Sequence, residues 1–487
     1  CDGGGTCWQK TKRIYKQQWK KTDPMLPAQS AMLGVTMTGA ALAANLIGVG
    51  LVAAPYVYSR IGRIAIPAFV VFAILASFSA TFLKSCCEIL ESRFEGYRRF
   101  HWYRQYPDIA SRALGPAVGN VVGILRFLCA VGVEAVLIIL TAECVTDWVN
   151  AFIQRAFHPY YPYHFRDTIF CGSVATIAAA FGGYTRPFGR HLRYWCAICI
   201  LPFSVALLSV LLVGIKESVN RGIFDYLIER IRYARTHGDL TGLKFISGVP
   251  SYHWRALLES LGVLAFIYGG VYGFTSIRRD MKVAAKFSKA AGYGIAGNTV
   301  ACLLVGTMGY VVFGGYLNGN VVLSLTAAAN NLRLAADVLV IICTEQAYSI
   351  VNVILDEFDS PQENGQRVQG RRFLINASVT LPAGLLALGV PYLGPLMALV
   401  GALTLCPLVF VLPPIFFFKL CQESLMDHKM KLLFGSLTVC VGVLVIIGGT
   451  VAAITEIVDQ SRLSQPTCCY STFGFDKQFR LAPSPRI

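Results

Sequence analysis

The sequence predicts an all-α polytopic membrane protein of about eleven transmembrane helices, and three observations carry that prediction. The 487 residues are 55% hydrophobic and 14% charged, with a mean hydropathy of +0.55, whereas a soluble chain carries roughly a quarter charged residues. The charges gather between apolar runs of about 20 residues, the length that crosses a hydrocarbon core of roughly 30 Å as helix. Two of those runs, five spans apart, are interrupted by glycines: "NLIGVGLVAAPY" (45–56) and "FIYGGVYGF" (266–274).

Taken in order, the apolar runs place spans at 31–55, 64–83, 117–142, 168–183, 194–215, 256–277, 291–313, 332–355, 373–390, 393–418 and 432–455. Only a tight turn at Pro391-Tyr392 parts the ninth and tenth, so a count of ten stays open. With a cytosolic N-terminus, the inner segments 1–30, 84–116, 184–193, 278–290, 356–372 and 419–431 hold about 26 of the 43 basic residues. That asymmetry follows the positive-inside rule, so the N-terminus is read as cytosolic and the C-terminus as external or luminal.

The organisation predicted is a basic cytosolic segment (1–30), a membrane domain (31–455) and an external or luminal tail (456–487). The chain begins at Cys1 rather than Met, so the first segment is read as truncated upstream. Within the membrane domain a first repeat covers about 31–215, a second about 256–418, and an extra helix about 432–455. The charged and aromatic segment 84–112 reads as an inner loop with amphipathic interfacial helices.

Several function classes are excluded. The net charge of +16 sits beside the spans, where it sets topology, so no nucleic-acid partner is predicted. No Gly-x-x-x-x-Gly-Lys-Ser/Thr loop supports ATP-driven transport. The seven histidines are scattered and form no metal-ligand spacing, and the aqueous loops offer no nucleophile–base constellation. Neither an enzyme nor a resident cofactor is predicted. Most of the 16 cysteines lie in apolar runs, where a thiol acts as a small hydrophobe. Asn376-Ala377-Ser378 falls inside a span and is read as an unused glycosylation triplet.

Glycine costs about 1 kcal/mol relative to alanine in a helix interior, and unpaired backbone in hydrocarbon costs several more. Irregular backbone survives there only where protein buries it or water reaches it. Gly48 and Gly50 on the first span and Gly269, Gly270 and Gly273 on the sixth therefore mark discontinuous helices. They open two five-span halves, the signature of an inverted-repeat (5+5) transporter.

"NLIGVGLVAAPYVYSRIG" (45–62) resembles the first-span signature of the amino acid/auxin permease family, also known as the amino acid transporter transmembrane family. That family includes vesicular inhibitory, proton-coupled and sodium-coupled neutral amino acid transporters. "YPDIASRALGP" (106–116), "LAFIYGGVYGFTSIRRDMK" (264–282), "GYVVFGGYLNGNVVLSL" (309–325) and "VPYLGPLMALVGALTLCPLVFVLPPIFFFKL" (390–420) are similar to further family segments, in the family's order. The resemblance covers about residues 30 to 455 and implies the core of the amino acid–polyamine–cation superfamily, with secondary transport of amino acids. Ala53-Ala54 before Pro55-Tyr56 departs from the family's larger residues, and the eighth span lacks a common mid-span proline. The subfamily is not placed.

On this reading the backbone of Ile47, Gly48, Val49, Gly50 and Leu51 receives a substrate carboxylate, and Tyr268, Gly269, Gly270, Tyr272 and Gly273 receive its amino group. Tyr268 and Tyr272, four apart, share a face on regular helix. In sodium-coupled relatives an Asn on the first span and a Thr on the eighth contribute to the ion site; Asn45 and Thr344 stand at those places. The proton alternative rests on ionisable residues at membrane depth, Arg126 and Glu134 on the third span and Asp337 and Glu345 on the eighth. Glu345 is the first proton-coupling candidate, followed by Glu134.

The predicted function is ion-coupled (H+ or Na+) secondary transport of small amino acids by alternating access. Its partners are the substrate and membrane lipid, in the plasma membrane or an endolysosomal or vesicular membrane. The alternative is an amino-acid-sensing receptor that signals through the basic, Trp-containing stretch "CWQKTKRIYKQQWKK" (7–21).

Overall fold

A computed structural model describes residues 34–93, 105–157, 254–279, 281–313, 365–421 and 429–463. The predicted fourth, fifth and eighth spans fall outside the described residues, as do Asp337, Thr344 and Glu345. Among the described residues six helices are long and apolar enough to cross a membrane, and the apolar part of the ninth predicted span, Ala377–Gly389, is a shorter one. All the predicted spans that can be seen are helical.

Helix α1 (Val35–Ile61) is followed by one 3-10 turn, Gly62–Ile64, and by α2 (Ala65–Arg93). The short amphipathic α3 (Gln105–Leu114) meets α4 (Pro116–Phe157) at Gly115, whose φ of +103° only glycine adopts readily. Helix α3 is the interfacial element read in the 84–112 loop, but it is not laid on lipid. Its Tyr106, Ile109 and Ala110 are fully buried against the bundle.

The second half opens with α5 (Trp254–Ile267), a 3-10 stretch (Gly269–Gly273) and α6 (Phe274–Arg279). Then come α7 (Phe287–Phe313), α8 (Gly365–Gly389), α9 (Leu393–Val400) and α10 (Leu412–Leu420). Two π-helical stretches, Gly401–Leu405 and Pro407–Val411, join α9 to α10, and a third, Val445–Gly449, joins α11 (Lys429–Leu444) to α12 (Thr450–Leu463).

Close helix packing rests on small residues, the usual device where lipid supplies no hydrophobic drive. A Cβ on Gly294 of α7 would stand 2.8 Å from the Leu42 Cβ of α1. A Cβ on Gly262 of α5 would stand 2.6 Å from the Ala398 carbonyl of α9, and one on Gly401 would strike the Gly262 carbonyl. Both interfaces are thus backbone against backbone.

The outer faces are apolar too. Ile66, Val70, Val71 and Ile74 of α2, Val121, Ile124 and Leu128 of α4, and Leu433, Leu437 and Ile447 near the C-terminus are all exposed. Helices apolar on every side need hydrocarbon around them.

Two adjacent prolines force side chains to finish the backbone's hydrogen bonding. Pro413 and Pro414 have no N–H to offer the carbonyls four or five residues back. The Val409 carbonyl loses both donors and accepts instead from the buried Ser79 hydroxyl of α2. The Leu408 carbonyl, one residue earlier in the π-helical stretch, accepts from the Tyr106 hydroxyl of α3. Two distant helices are fastened to α9–α10 by that chemistry.

Candidate functional site

The break expected in the sixth span is present. Tyr268 closes α5 with its amide on the Leu264 carbonyl at 3.1 Å. The Val271 amide then bonds the Tyr268 carbonyl at 3.3 Å, rather than Ile267, its α-helical partner. The chain continues as a 3-10 stretch through Gly269, Gly270, Val271, Tyr272 and Gly273. A Cβ on Gly269 would stand 2.7 Å from Leu405, so glycine is what lets the π-helical segment approach. Such a mid-membrane tightening commonly marks a hinge or site.

The first span differs from expectation. Helix α1 runs unbroken from Val35 to Ile61, so Asn45, Ile47, Gly48, Val49, Gly50 and Leu51 all belong to regular helix. The physical reason is visible at Gly50, where a Cβ would lie 3.2 Å from the Ile267 Cα at the end of α5. A glycine within a helix costs only about 1 kcal/mol, and close approach to α5 uses the missing side chain. In this arrangement the amide groups of 47–51 serve the helix itself and are not offered to a ligand.

Tyr268 and Tyr272 do not share a face. Four residues rotate about 40° on α-helix but about 120° on 3-10 helix. Tyr268, fully buried, lies between α2 and α7: its hydroxyl is 3.1 Å from the Phe69 carbonyl and 2.8 Å from the Thr299 Oγ1. Tyr272 turns to α4, where the buried Arg126 guanidinium stands 5.7 Å from its ring centroid and 5.9 Å from that of Tyr106.

Glu134, the coupling candidate on α4, is buried and accepts a hydrogen bond from the Thr380 hydroxyl of α8 at 2.5 Å. Sequence spacing set Arg126 and Glu134 on one face; the structure engages them with different partners.

Two ionic clusters, both missed in the sequence, close opposite ends of the bundle. At the end where α1 finishes, Glu259 of α5 is the hub. Its side chain is 1% exposed. It accepts from the Tyr56 hydroxyl at 2.7 Å and from Arg60 through Nε at 2.9 Å and through Nη2. Arg60 also meets Glu456 of α12 at 3.1 Å, and Arg255 meets Asp459 at 3.7 Å. Helix α2 returns from that end, and at its far end Glu91 takes both Arg278 nitrogens, at 2.6 and 3.0 Å. Arg278 belongs to α6, just past the 3-10 break. The signal available was a lone carboxylate inside an apolar run, "ALLESLGVL", which the 256–277 span contained.

A broken, buried helix thus lies between ionic clusters at the two ends of a helical bundle. The fold is shared with a solved transporter, the manganese transporter of Eremococcus coleocola, at a TM-score of 0.53 and 12% identity, over 96% of this chain and 91% of that one. The profile of the family described as "transmembrane amino acid transporter protein" matches residues 32–455, and the chain belongs to that family. Similar proteins include amino acid transporter AVT1D of Arabidopsis thaliana, 21% identical over 85% of this chain and 68% of the relative. Amino acid transporter AVT1B, also of Arabidopsis thaliana, is 22% identical over 85% of this chain and 69% of the relative. It is an integral, multi-pass membrane protein rather than an enzyme.

Proposed function

We propose that this protein is an ion-coupled secondary transporter of small amino acids that works by alternating access around the α5–α6 break. The observation that carries the reading is the 3-10 stretch Gly269–Gly273, buried beside Tyr268 in a chain of the amino acid transporter family. Its backbone, with Tyr272, receives the amino group, and the 47–51 stretch of α1 offers its amides to the carboxylate only when that turn opens. The two end clusters then act as alternating closures, Arg60–Glu259–Glu456 at one end and Arg278–Glu91 at the other. The N-terminus faces the cytosol in a plasma, endolysosomal or vesicular membrane.

Coupling uses either H+ at Glu345 or Glu134, or Na+ at Asn45 and Thr344. The test is uptake of a panel of labelled amino acids into proteoliposomes, with pH and sodium varied independently, for wild type, Glu345→Gln, Glu134→Gln and Asn45→Ala. Proton coupling predicts accumulation that follows the pH gradient and is lost in one of the two glutamine variants. Sodium coupling predicts accumulation that follows sodium and is lost in Asn45→Ala. Binding without flux under either gradient overturns the proposal.

A further inference from the structure

We propose that Asn298 of α7 is a substrate-binding residue that donates to the carboxylate of the transported amino acid. The inference rests on the transport reading above and extends it to a residue outside the two broken-helix signatures.

Asn298 is fully buried, and its Nδ2 has no hydrogen-bond partner. The Cys302 thiol donates to Oδ1 at 3.7 Å, which leaves Nδ2 as the end of the amide without a partner. The orphaned group is then an NH2, which only donates. Leaving such a donor unpaired costs about 1–3 kcal/mol, a penalty that native interiors avoid unless something else supplies the acceptor.

Position on α7 says where the acceptor comes from. Gly294, Asn298 and Cys302 recur every four residues and so lie along one face. Gly294 abuts Leu42 and Ala43 of α1, and Gly306, further along α7, abuts the Tyr58 ring. Between those contacts, and next to Gly297, where a Cβ would stand 3.9 Å from that of Ala43, Asn298 comes level with the turn of α1 that leads into the glycine-bearing 47–50 stretch. Its neighbour Thr299 holds the Tyr268 hydroxyl at the start of the α5–α6 break. Asn298 thus stands between the two halves of the proposed site, one residue from the fastening of the other half.

An α-amino acid brings one group that only donates, its ammonium, and one that only accepts, its carboxylate. The Asn298 amide complements the second. Because the α1 amides are engaged within their own helix, Asn298 is a donor that the carboxylate reaches without unwinding α1.

The test compares wild type, Asn298→Ala and the isosteric Asn298→Asp as purified, monodisperse protein, by competition against a labelled amino acid with two probes. L-Alanine carries the ammonium and the carboxylate; L-alaninol keeps the ammonium and lacks the carboxylate. Loss of a charge-assisted hydrogen bond predicts L-alanine affinity weakened roughly 10- to 100-fold in Asn298→Ala. The loss is larger in Asn298→Asp, whose charge repels the carboxylate, while L-alaninol inhibits all three proteins equally. Equal weakening of both probes marks a structural role and overturns the proposal, as does unchanged L-alanine affinity. Should Asn298→Ala fail to fold, Asn298→Asp alone decides. Wild type that binds no amino acid defeats the transport reading first, before any variant is compared.

Discussion

Arg60 on α1 and Glu259 on α5, 199 positions apart in sequence, meet through Nε at 2.9 Å and through a second guanidinium nitrogen. The carboxylate is wholly covered while the arginine is 28% exposed and shared with Glu456. Burial of one partner and exposure of the other sets an order of importance within the cluster. Glu259→Gln leaves Arg60 and Tyr56 without their anion and is expected to destabilise the purified protein by about 1.5–3 kcal/mol. Glu456→Gln, at a pair of which both partners are partly open to solvent, is expected to cost less, about 0–1 kcal/mol. Thermal melting of the detergent-purified variants checks the ranking; Glu456→Gln as damaging as Glu259→Gln would contradict it.

The opposite end invites a kinetic test. Arg278 sits directly past the 3-10 stretch and holds Glu91 with two parallel bonds. Glu91→Gln weakens a bidentate, charge-assisted closure and is expected to raise accessibility to a thiol reagent at a cysteine introduced near 285. Arg278→Lys, which keeps the charge but not the fork, is expected to do the same. Unchanged labelling in both variants rules the pair out as a closure.

Ser79 and Tyr106 supply hydrogen bonds that two prolines withhold. Ser79→Ala and Tyr106→Phe each orphan a buried carbonyl and are expected to cost about 1–3 kcal/mol. Restoring an N–H with Pro413→Ala is expected to shrink the Ser79→Ala cost in a double-mutant cycle. Additive losses would show that the proline is not the cause.

Helix approach makes the fourth prediction. Gly262→Ala drives a methyl into the Ala398 carbonyl, with 2.6 Å between them, whereas a methyl on Gly292 meets nothing within 4 Å. Gly262→Ala is expected to lose several degrees of melting temperature. Gly292→Ala is expected to be neutral or to gain about 0.5–1 kcal/mol from helix propensity.

The helical membrane class was legible because span length and charge placement are local properties. The sixth-span break was legible for the same reason: Gly269, Gly270 and Gly273 crowd one turn. The first-span glycines carried the same local signature but the opposite outcome, since whether a glycine unwinds a helix or admits a neighbour depends on Ile267, more than 200 positions away. The Tyr268–Tyr272 pairing failed because the very break that made it interesting changed the rotation per residue. The end clusters, the Thr380–Glu134 bond and the idle amide of Asn298 are all relations between remote helices, invisible to spacing along one of them. Pro413-Pro414, like the lone Glu259 in its apolar run, was a long-range clue in plain view: adjacent prolines in a span announce carbonyls in need of outside donors.

The unbroken α1 has a consequence in population terms. A carboxylate that takes the amides of 47–51 engages only those molecules in which that turn has already opened. Its apparent dissociation constant is the intrinsic one divided by the opened fraction. Affinity then becomes a meter of helix stability: a substitution that stiffens the turn weakens binding without touching the ligand, and one that loosens it tightens binding. Gly48, costing the helix about 1 kcal/mol, holds that fraction several-fold higher than alanine would.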